Sequence, residues 1–429
     1  MEHYRDITYE RLSNGIDLCC VPTQAQDIVV LQMAFPGGVY ATYNKQTVTA
    51  LLSETMPTGT RGRKRLEVRE LFETLGARVS VTEGAEHLRV SLACRNVVFA
   101  EAFALLLDIL CAPQITEKEF AEAVAHLDTA LLHTEEDTRL QARIATTNLL
   151  YEKGHPHWIQ HPRDMRKELD TTRSADLTDF HKSTFSGVGA VVCIAGDIRD
   201  IQKCKILEES LLRVPDVRPT RIPTVHVDRT RESAERDVII SLQDKMNVDT
   251  LFSIPLAITR DHPAYQALAV GVNVLGGSFT GRLFASLRTK HNLTYGSYAG
   301  LSGMGDGYPG YLSATAIFPH DVFLRGRIVL RDEVRAWAEK GITAKELERR
   351  KEEIAGSYKV GLATTSSLCD VTFNALLNKR GLEYVDNYPK IIQVLTLREV
   401  NTAIKEHVHY DLAVTASAGA VDEKGMPLR

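Results

Sequence analysis

The first half of the chain combines helical and alternating patterns of apolar residues. A helical apolar pattern at 71–75 precedes two alternating runs, 77–81 and 87–92, which predict β-strands. A long apolar segment at 97–110 then predicts a helix. This half therefore reads as a mixture of helices and neighbouring strands.

The second half repeats the same order of elements. Helical spacing at 283–287 is followed by strand-like runs near 294–301 and 310–317, and then by another helical segment. Both halves also close alike, with a helical segment before an apolar strand, at 175–194 and again at 397–415. Chance similarity between ordinary α+β segments is the alternative, and the matching order of five elements outweighs it.

Two helix starts occur at equivalent places in the two halves. Thr116 with Glu119, and Thr343 with Glu346, each fit a capping box, in which the threonine and the glutamate bind backbone amides at a helix start. The repeat predicts an α+β fold of two similar domains, each a mainly antiparallel sheet with helices packed on one face.

A charged segment with three prolines separates the two halves. We place an N-terminal domain at 1–213, an exposed linker at 214–235 and a homologous C-terminal domain at 236–429. Two domains also suit a chain of 429 residues, because a single hydrophobic core rarely grows that large.

Composition narrows the functional classes. The 51 basic and 55 acidic residues give a formal charge of −4, so nothing favours binding to nucleic acid or to an anionic membrane. The start of the chain has no apolar signal region, and no apolar stretch reaches the roughly 18 residues of a membrane span. We therefore expect a cytoplasmic protein with no membrane partner. The seven cysteines form no C-x-x-C pair, which predicts buried free thiols.

Several short motifs, spread over nearly the whole chain, carry a resemblance to one family. They are Phe35-Pro36-Gly37-Gly38, Gly59-Thr60, Leu75-Gly76-Ala77, Gly196-Asp197 and the glycine-rich stretch 275–284. In this combination the chain resembles the pitrilysin/insulinase family of zinc metallopeptidases, which includes the mitochondrial processing peptidases and paired bacterial peptidases.

The resemblance also shows which positions a zinc site would need. Active members carry an inverted H-x-x-E-H motif on a helix, where two histidines bind zinc and the glutamate acts on the metal-bound water. Here the aligned positions are Ala50, Ser53 and Glu54, and Ala130 stands where a later helix supplies the third ligand. The resemblance therefore implies a degenerate metal site, with no zinc cofactor and no catalytic residues in this chain alone.

No other segment replaces the missing motif. The pattern H-x-x-E-H occurs nowhere in the sequence, and His155, His157 and His161 lie in a segment rich in glycine and proline. Their spacing fits neither a helix face nor a common zinc pattern, so an ordinary loop is predicted. His126 and His133 could share a helix face, but no acidic motif accompanies them.

Arg288 and Tyr295 match a pair with which the family binds substrate. The resemblance implies that the arginine holds the substrate backbone and that the tyrosine hydroxyl donates to the oxyanion of the tetrahedral intermediate. The ordinary alternative is a solvated helical arginine and a half-buried tyrosine on a strand.

Two functions remain after this comparison. The first is a non-catalytic, substrate-binding subunit of a heterodimeric zinc peptidase, whose partner is a homologous chain with H-x-x-E-H and zinc, and whose substrate is a peptide. The alternative is a catalytically silent scaffold subunit of a larger complex, which needs no substrate-binding pair. A metal-independent hydrolase is disfavoured, because the sequence has no G-x-S-x-G nucleophile motif.

Overall fold

A computed structural model of the chain describes residues 7–24, 27–42, 45–60, 62–198, 201–218, 236–304 and 308–428. These residues form two compact units. Unit 1 comprises 1–131, 163–224 and 359–387, and unit 2 comprises 132–162, 225–358 and 388–429.

A six-stranded sheet forms the centre of unit 1. Its spatial order is β1-β2-β6-β3-β5-β4, in which only β2 and β6 run parallel among the described strands. The strands are β1 (Thr8–Arg11), β2 (Asp17–Pro22), β3 (Val29–Pro36), β4 (Arg78–Glu83), β5 (His87–Cys94) and β6 (Val191–Gly196). The alternation in β5 places Leu88, Val90 and Leu92 in the core, as period-two patterning requires.

Helices cover both faces of this sheet. The larger core lies under helices that follow the first-half strands: α1 (Gln46–Thr55), α2 (Arg65–Thr74), α3 (Phe99–Cys111), α4 (Glu117–Glu136), α6 (Pro162–Leu169), α7 (Ser174–Thr184) and α8 (Ile201–Leu211). On the other face, Val30 and Cys193 pack with Leu368, Cys369 and Phe373. The last three belong to α13 (Thr365–Leu377), a helix from the second half of the sequence.

Unit 2 repeats this plan with five strands. Its order is β7-β11-β8-β10-β9, with β7 and β11 parallel and the other described neighbours antiparallel. The strands are β7 (Asp237–Ser241), β8 (Asn247–Pro255), β9 (Ser297–Ser302), β10 (Tyr311–Pro319) and β11 (Val414–Gly419). Strand by strand, this order reproduces β2-β6-β3-β5-β4 of unit 1, so the predicted duplication is confirmed.

The helices of unit 2 follow the same arrangement. One core face is covered by α9 (Tyr265–Gly276), α10 (Arg282–Phe284), α11 (Phe323–Lys340), α12 (Ala344–Gly361), α14 (Glu383–Gln393) and α15 (Leu397–His407). The other face packs against α5 (Thr138–Leu150), which comes from the first half of the sequence. The α+β class with two similar sheet domains is therefore confirmed, with one further helix on the second face of each sheet.

Both predicted capping boxes are present. The amide of Glu119 donates to Thr116 Oγ1 at 3.2 Å, and the amide of Thr116 donates back to the Glu119 carboxylate at 3.2 Å. The amide of Thr343 donates to the Glu346 carboxylate at 2.8 Å, and Glu346 N donates to Thr343 Oγ1 at 3.3 Å. Helices α4 and α12 therefore begin where the sequence predicts them.

Other sequence expectations have mixed outcomes. Residues 219–235 of the predicted linker lie outside the described residues, so its boundaries stay a prediction. Among the residues that the structure describes, six cysteines form no disulfide, and five of these are buried, as predicted: Cys19, Cys20, Cys94, Cys193 and Cys369. Within the described part of the chain, no helix is long and apolar enough to cross a membrane.

Candidate functional site

Helix α1 presents the three degenerate positions on its less buried side. Leu51 and Leu52 lie in the core of unit 1, which leaves Ala50, Ser53 and Glu54 half-buried. The hydroxyl of Ser53 donates to the backbone carbonyl of Ala50 at 2.9 Å. This bond occupies the serine proton within the helix itself.

Glu54 connects α1 with α4. Its Oε1 lies 2.8 Å from Nδ1 of His126. Because an ionised carboxylate can only accept, Nδ1 of His126 is the donor. Ala130 stands one helical turn further along α4 from His126, on the same face. A glutamate–histidine pair therefore joins the two helices that carry the degenerate metal positions.

These residues do not fit a zinc ion. Alanine has no lone pair to offer, a serine hydroxyl is a weak zinc ligand, and the one carboxylate already pairs with His126. Within the described ranges, no group of three or more His, Cys, Asp or Glu is arranged to hold a metal. That purified protein lacks zinc stays a prediction, to be tested by metal analysis.

Two of the three histidines at 155–161 form part of a buried loop. The ring of His155 stacks on Tyr151 with centroids 4.2 Å apart, and its Nδ1 accepts a hydrogen bond from the amide of His157 at 3.0 Å. Burial, and then the neighbouring His157, lowers the pKa of His155 to about 4, so this imidazole is neutral at pH 7. The segment between α5 and α6 is a loop, as predicted.

A turn of π-helix positions Arg288 in unit 2. Helix α10 continues into a π-helical segment, Ala285–Lys290, in which the amide of His291 donates to the carbonyl of Ser286 at 3.1 Å. Asn292 then adopts a left-handed conformation with φ of 50°, which turns the chain toward β9. Such π-helical turns frequently occur at functional sites.

The structure brings Arg288 and Tyr295 together through the backbone. Nη1 of Arg288 donates to the carbonyl oxygen of Tyr295 at 2.8 Å, and the guanidinium lies 5.2 Å from the ring centroid of Phe284. Tyr295 is 76% exposed, and its hydroxyl makes no hydrogen bond to the described residues. The pair therefore combines an exposed arginine, bound to the Tyr295 backbone, with an exposed phenol.

The two side chains offer hydrogen-bond donors of the kind that peptide oxygens accept. The guanidinium has further donors for a carbonyl or carboxylate oxygen, and the phenol can donate one hydrogen bond to an oxyanion. The hydrogen bond from Arg288 to the Tyr295 carbonyl restricts the motion of both residues. Binding a ligand therefore costs less conformational entropy.

Two exposed aromatic residues of the same region, Phe279 and Tyr298, were not predicted as site residues from the sequence. Phe279 is 80% exposed, and its ring lies 5.2 Å from that of Phe284, edge to face. Tyr298 on β9 is also more than half exposed. A phenylalanine between Ser278 and Thr280 in a polar, glycine-flanked turn was the available signal, because a buried aromatic rarely has such neighbours.

Comparisons with known proteins bear on the family to which the chain is similar. Residues 173–354 match a family described as "Peptidase M16 inactive domain". The non-peptidase homolog YmxG of Helicobacter pylori is 22% identical over 380 residues, which span 88% of this chain and 85% of that protein. An uncharacterized zinc protease of Mycobacterium bovis is 29% identical over 250 residues, which span 57% of this chain and 56% of that protein.

A solved structure extends the likeness to the whole fold. The peptidase M16 inactive domain from Pseudomonas fluorescens superposes with a TM-score of 0.86 and 21% identity, over 96% of this chain and 98% of that one. The fold, the family match and the two relatives agree with the motifs that carry the resemblance. Together these findings support an inactive member of the pitrilysin-like peptidase M16 family.

Proposed function

We propose that this chain is the substrate-binding subunit of a two-chain zinc peptidase. One observation carries the proposal: the chain has lost the residues for zinc, but it keeps Arg288 and Tyr295 in an ordered and exposed arrangement. A pair held in this way has little purpose in a scaffold, which needs no exposed oxyanion donor.

The division of labour follows from the side chains. A homologous sister chain with H-x-x-E-H would supply zinc, which activates the attacking water. Arg288 binds a carbonyl oxygen of the peptide backbone, and Tyr295 donates its phenolic proton in a hydrogen bond to the oxyanion. We place this complex in the cytoplasm, and the free thiols at the described cysteines support a reducing compartment.

Reconstitution tests this function. The purified chain is mixed with a sister chain from the same organism that carries H-x-x-E-H, and hydrolysis of fluorescein-labelled casein is followed. We expect cleavage by the mixture and none by this chain alone. A sister in which the motif glutamate is changed to glutamine is the matched control and should give no cleavage in the mixture. Equal cleavage by the sister with and without this chain would contradict the proposal.

The scaffold alternative has its own supporting observation. Glu54 and His126 form a pair across the degenerate site, so that region is a stable connection between helices without any ligand. A scaffold predicts a stable complex in which Arg288 and Tyr295 can be replaced without loss of proteolysis. The same reconstitution therefore separates the two functions.

A further inference from the structure

Helix α12 holds the glycine-rich segment that precedes α10, and we propose that Arg350 on this helix is a positioning residue for Arg288. Arg350 would act through the turn 278–280 and the two phenylalanines next to it. The inference rests on the proposed function, in which Arg288 binds the substrate backbone. Its tests are chosen so that either idea can fail separately.

Arg350 contacts both polar residues of the turn 278–280 through its guanidinium group. Its Nη1 donates to Ser278 Oγ at 2.8 Å and to Glu353 Oε2 at 2.7 Å, and its Nη2 lies 3.4 Å from Thr280 Oγ1. Thr280 in turn donates to Glu353 Oε1 at 3.3 Å. Both polar residues that flank Phe279 are therefore bound to one guanidinium–carboxylate pair on α12.

Arg350 differs from an ordinary surface arginine. Its side chain is only 5% exposed, whereas that of its neighbour Arg349 is 60% exposed. A charged group this buried is retained only where its donors are used, because leaving one unpaired is costly. Its planar fork reaches two oxygens in different directions, which a lysine ammonium cannot reproduce.

A second ion pair fixes the far end of the same segment. Arg282 binds Glu346 with two hydrogen bonds, of 2.6 and 2.7 Å, and Glu346 also accepts from the amide of Thr343. The glycines allow close packing here: a Cβ on Gly276 would lie 2.6 Å from Ala299 N, and one on Gly281 2.9 Å from the Cα of Gly276. The segment is therefore tightly packed at both ends.

Aromatic contacts connect the turn with Arg288. Phe279, between the two residues that Arg350 and Glu353 hold, packs edge to face on Phe284, and the Arg288 guanidinium lies over Phe284. Arg288 then reaches the carbonyl of Tyr295. A side chain with several rotatable bonds on the surface loses less entropy on binding when such contacts already orient it.

The first test uses hydrogen exchange in the full-length chain. The amides of Thr280 and Gly281 donate within the turn, to Ser278 Oγ at 3.2 Å and to the Ser278 carbonyl at 2.9 Å. We expect Arg350→Lys to speed exchange in a peptide covering 277–284 by about tenfold, because the turn opens more often. Lys345→Arg, at an exposed position of the same helix, is the control, and it should leave exchange unchanged. Equal exchange in Arg350→Lys and the unmodified chain would overturn the proposal.

The second test uses the reconstituted complex and labelled casein. Arg350→Lys should raise KM about tenfold with kcat within about twofold, because a displaced binding group costs affinity first. In an Arg288→Ala background the same change should add nothing, since its effect passes through Arg288. A KM increase of the same size in both backgrounds would show a general structural defect and overturn the inference.

Two results separate this inference from the proposed function. An unchanged KM in Arg288→Ala would overturn the proposed function, whereas the exchange experiment does not depend on any substrate. If Arg350→Lys does not fold, Phe279→Ala interrupts the same connection at an exposed position. It should raise KM with the same dependence on Arg288, and an unchanged KM in this variant would overturn the positioning role.

Discussion

At the degenerate metal site, single residues decide the chemistry. The side chains of Ala50 and Ala130 end at a methyl group, the Ser53 proton is bound to a carbonyl of its own helix, and the Glu54 carboxylate pairs with His126. The two alanines have no donor atom for a metal, and Ser53 and Glu54 would each have to give up an existing hydrogen bond to bind one. At the positions that the resemblance aligns with the family's zinc site, Glu54 and His126 therefore form a direct contact between helices.

Metal content tests this interpretation. We expect the purified chain to hold far less than one zinc per molecule, because one exposed imidazole and one carboxylate bind zinc weakly. Glu54→Gln should leave the metal content unchanged, as measured by atomic emission after dialysis. A stoichiometric zinc that disappears in Glu54→Gln would contradict the assignment.

The hydroxyl of Tyr295 offers the sharpest test of function. Tyr295→Phe removes only this group, which makes no hydrogen bond to the described residues, so folding and complex formation should be unaffected. Loss of one oxyanion donor should lower kcat of the reconstituted complex about a hundred- to a thousandfold. Tyr298→Phe, at an exposed position of β9, is the control and should retain activity. Unchanged turnover in Tyr295→Phe within an intact complex would remove Tyr295 from the active site.

At the scale of elements, local rules predicted helix starts better than strand starts. The capping boxes at Thr116 and Thr343 formed as expected, because each needs only residues three apart. Strand β9, predicted from 294, begins at Ser297. The hydroxyl of Thr294 lies within hydrogen-bond distance of the carbonyl oxygens of Gly296 and Ile317, and the chain is irregular up to Ser297. This contact with a distant strand has no local sequence signal.

The start of α12 also gives a pH-dependent prediction. The Arg282 hydrogen bonds, together with donors from Thr343, lower the pKa of Glu346 to about 2 despite partial burial. A carboxyl whose pKa is lower in the folded state stabilises the protein above its unfolded pKa of about 4.5, and this stability is lost as the pH falls toward 2.

Glu346→Gln should therefore destabilise the chain by about 1–2 kcal/mol at pH 7, allowing for solvent screening of a partly exposed pair. Urea unfolding at several pH values should show this difference shrinking between pH 4.5 and 2. Glu352→Gln, at an exposed position of α12, is the control. A difference that stays constant with pH would mean that the Arg282–Glu346 contact does not contribute as an ion pair.

At the scale of the whole molecule, each compact unit is built from both halves of the sequence. Unit 1 contains α13, and unit 2 contains α5, although each helix is encoded in the opposite half. The sequence patterns predicted neither of these helices, and the sheet that each covers depends on contacts far apart in sequence. The duplication could be predicted from the sequence, whereas the exchange of α5 and α13 between the two units could not.

Because each unit contains a helix from the other half of the sequence, we predict that the two halves cannot fold separately. A fragment 1–213 lacks Leu368, Cys369 and Phe373 of α13, which bury one face of its sheet. Each large apolar side chain of this kind contributes about 1.5–3 kcal/mol, against a typical total stability of roughly 5–15 kcal/mol.

Fragments 1–213 and 236–429 expressed apart should therefore aggregate or bind a hydrophobic dye, because each leaves an apolar sheet face uncovered. Expressed together, they should co-purify as a soluble pair, since α13 and α5 can then reach the sheets that they cover. As a control, Val360→Ala in the pair should have no effect, because that side chain is exposed, whereas Phe373→Ala should weaken association. A soluble, monomeric fragment 1–213 with native circular dichroism would show that α13 is dispensable for the fold of unit 1.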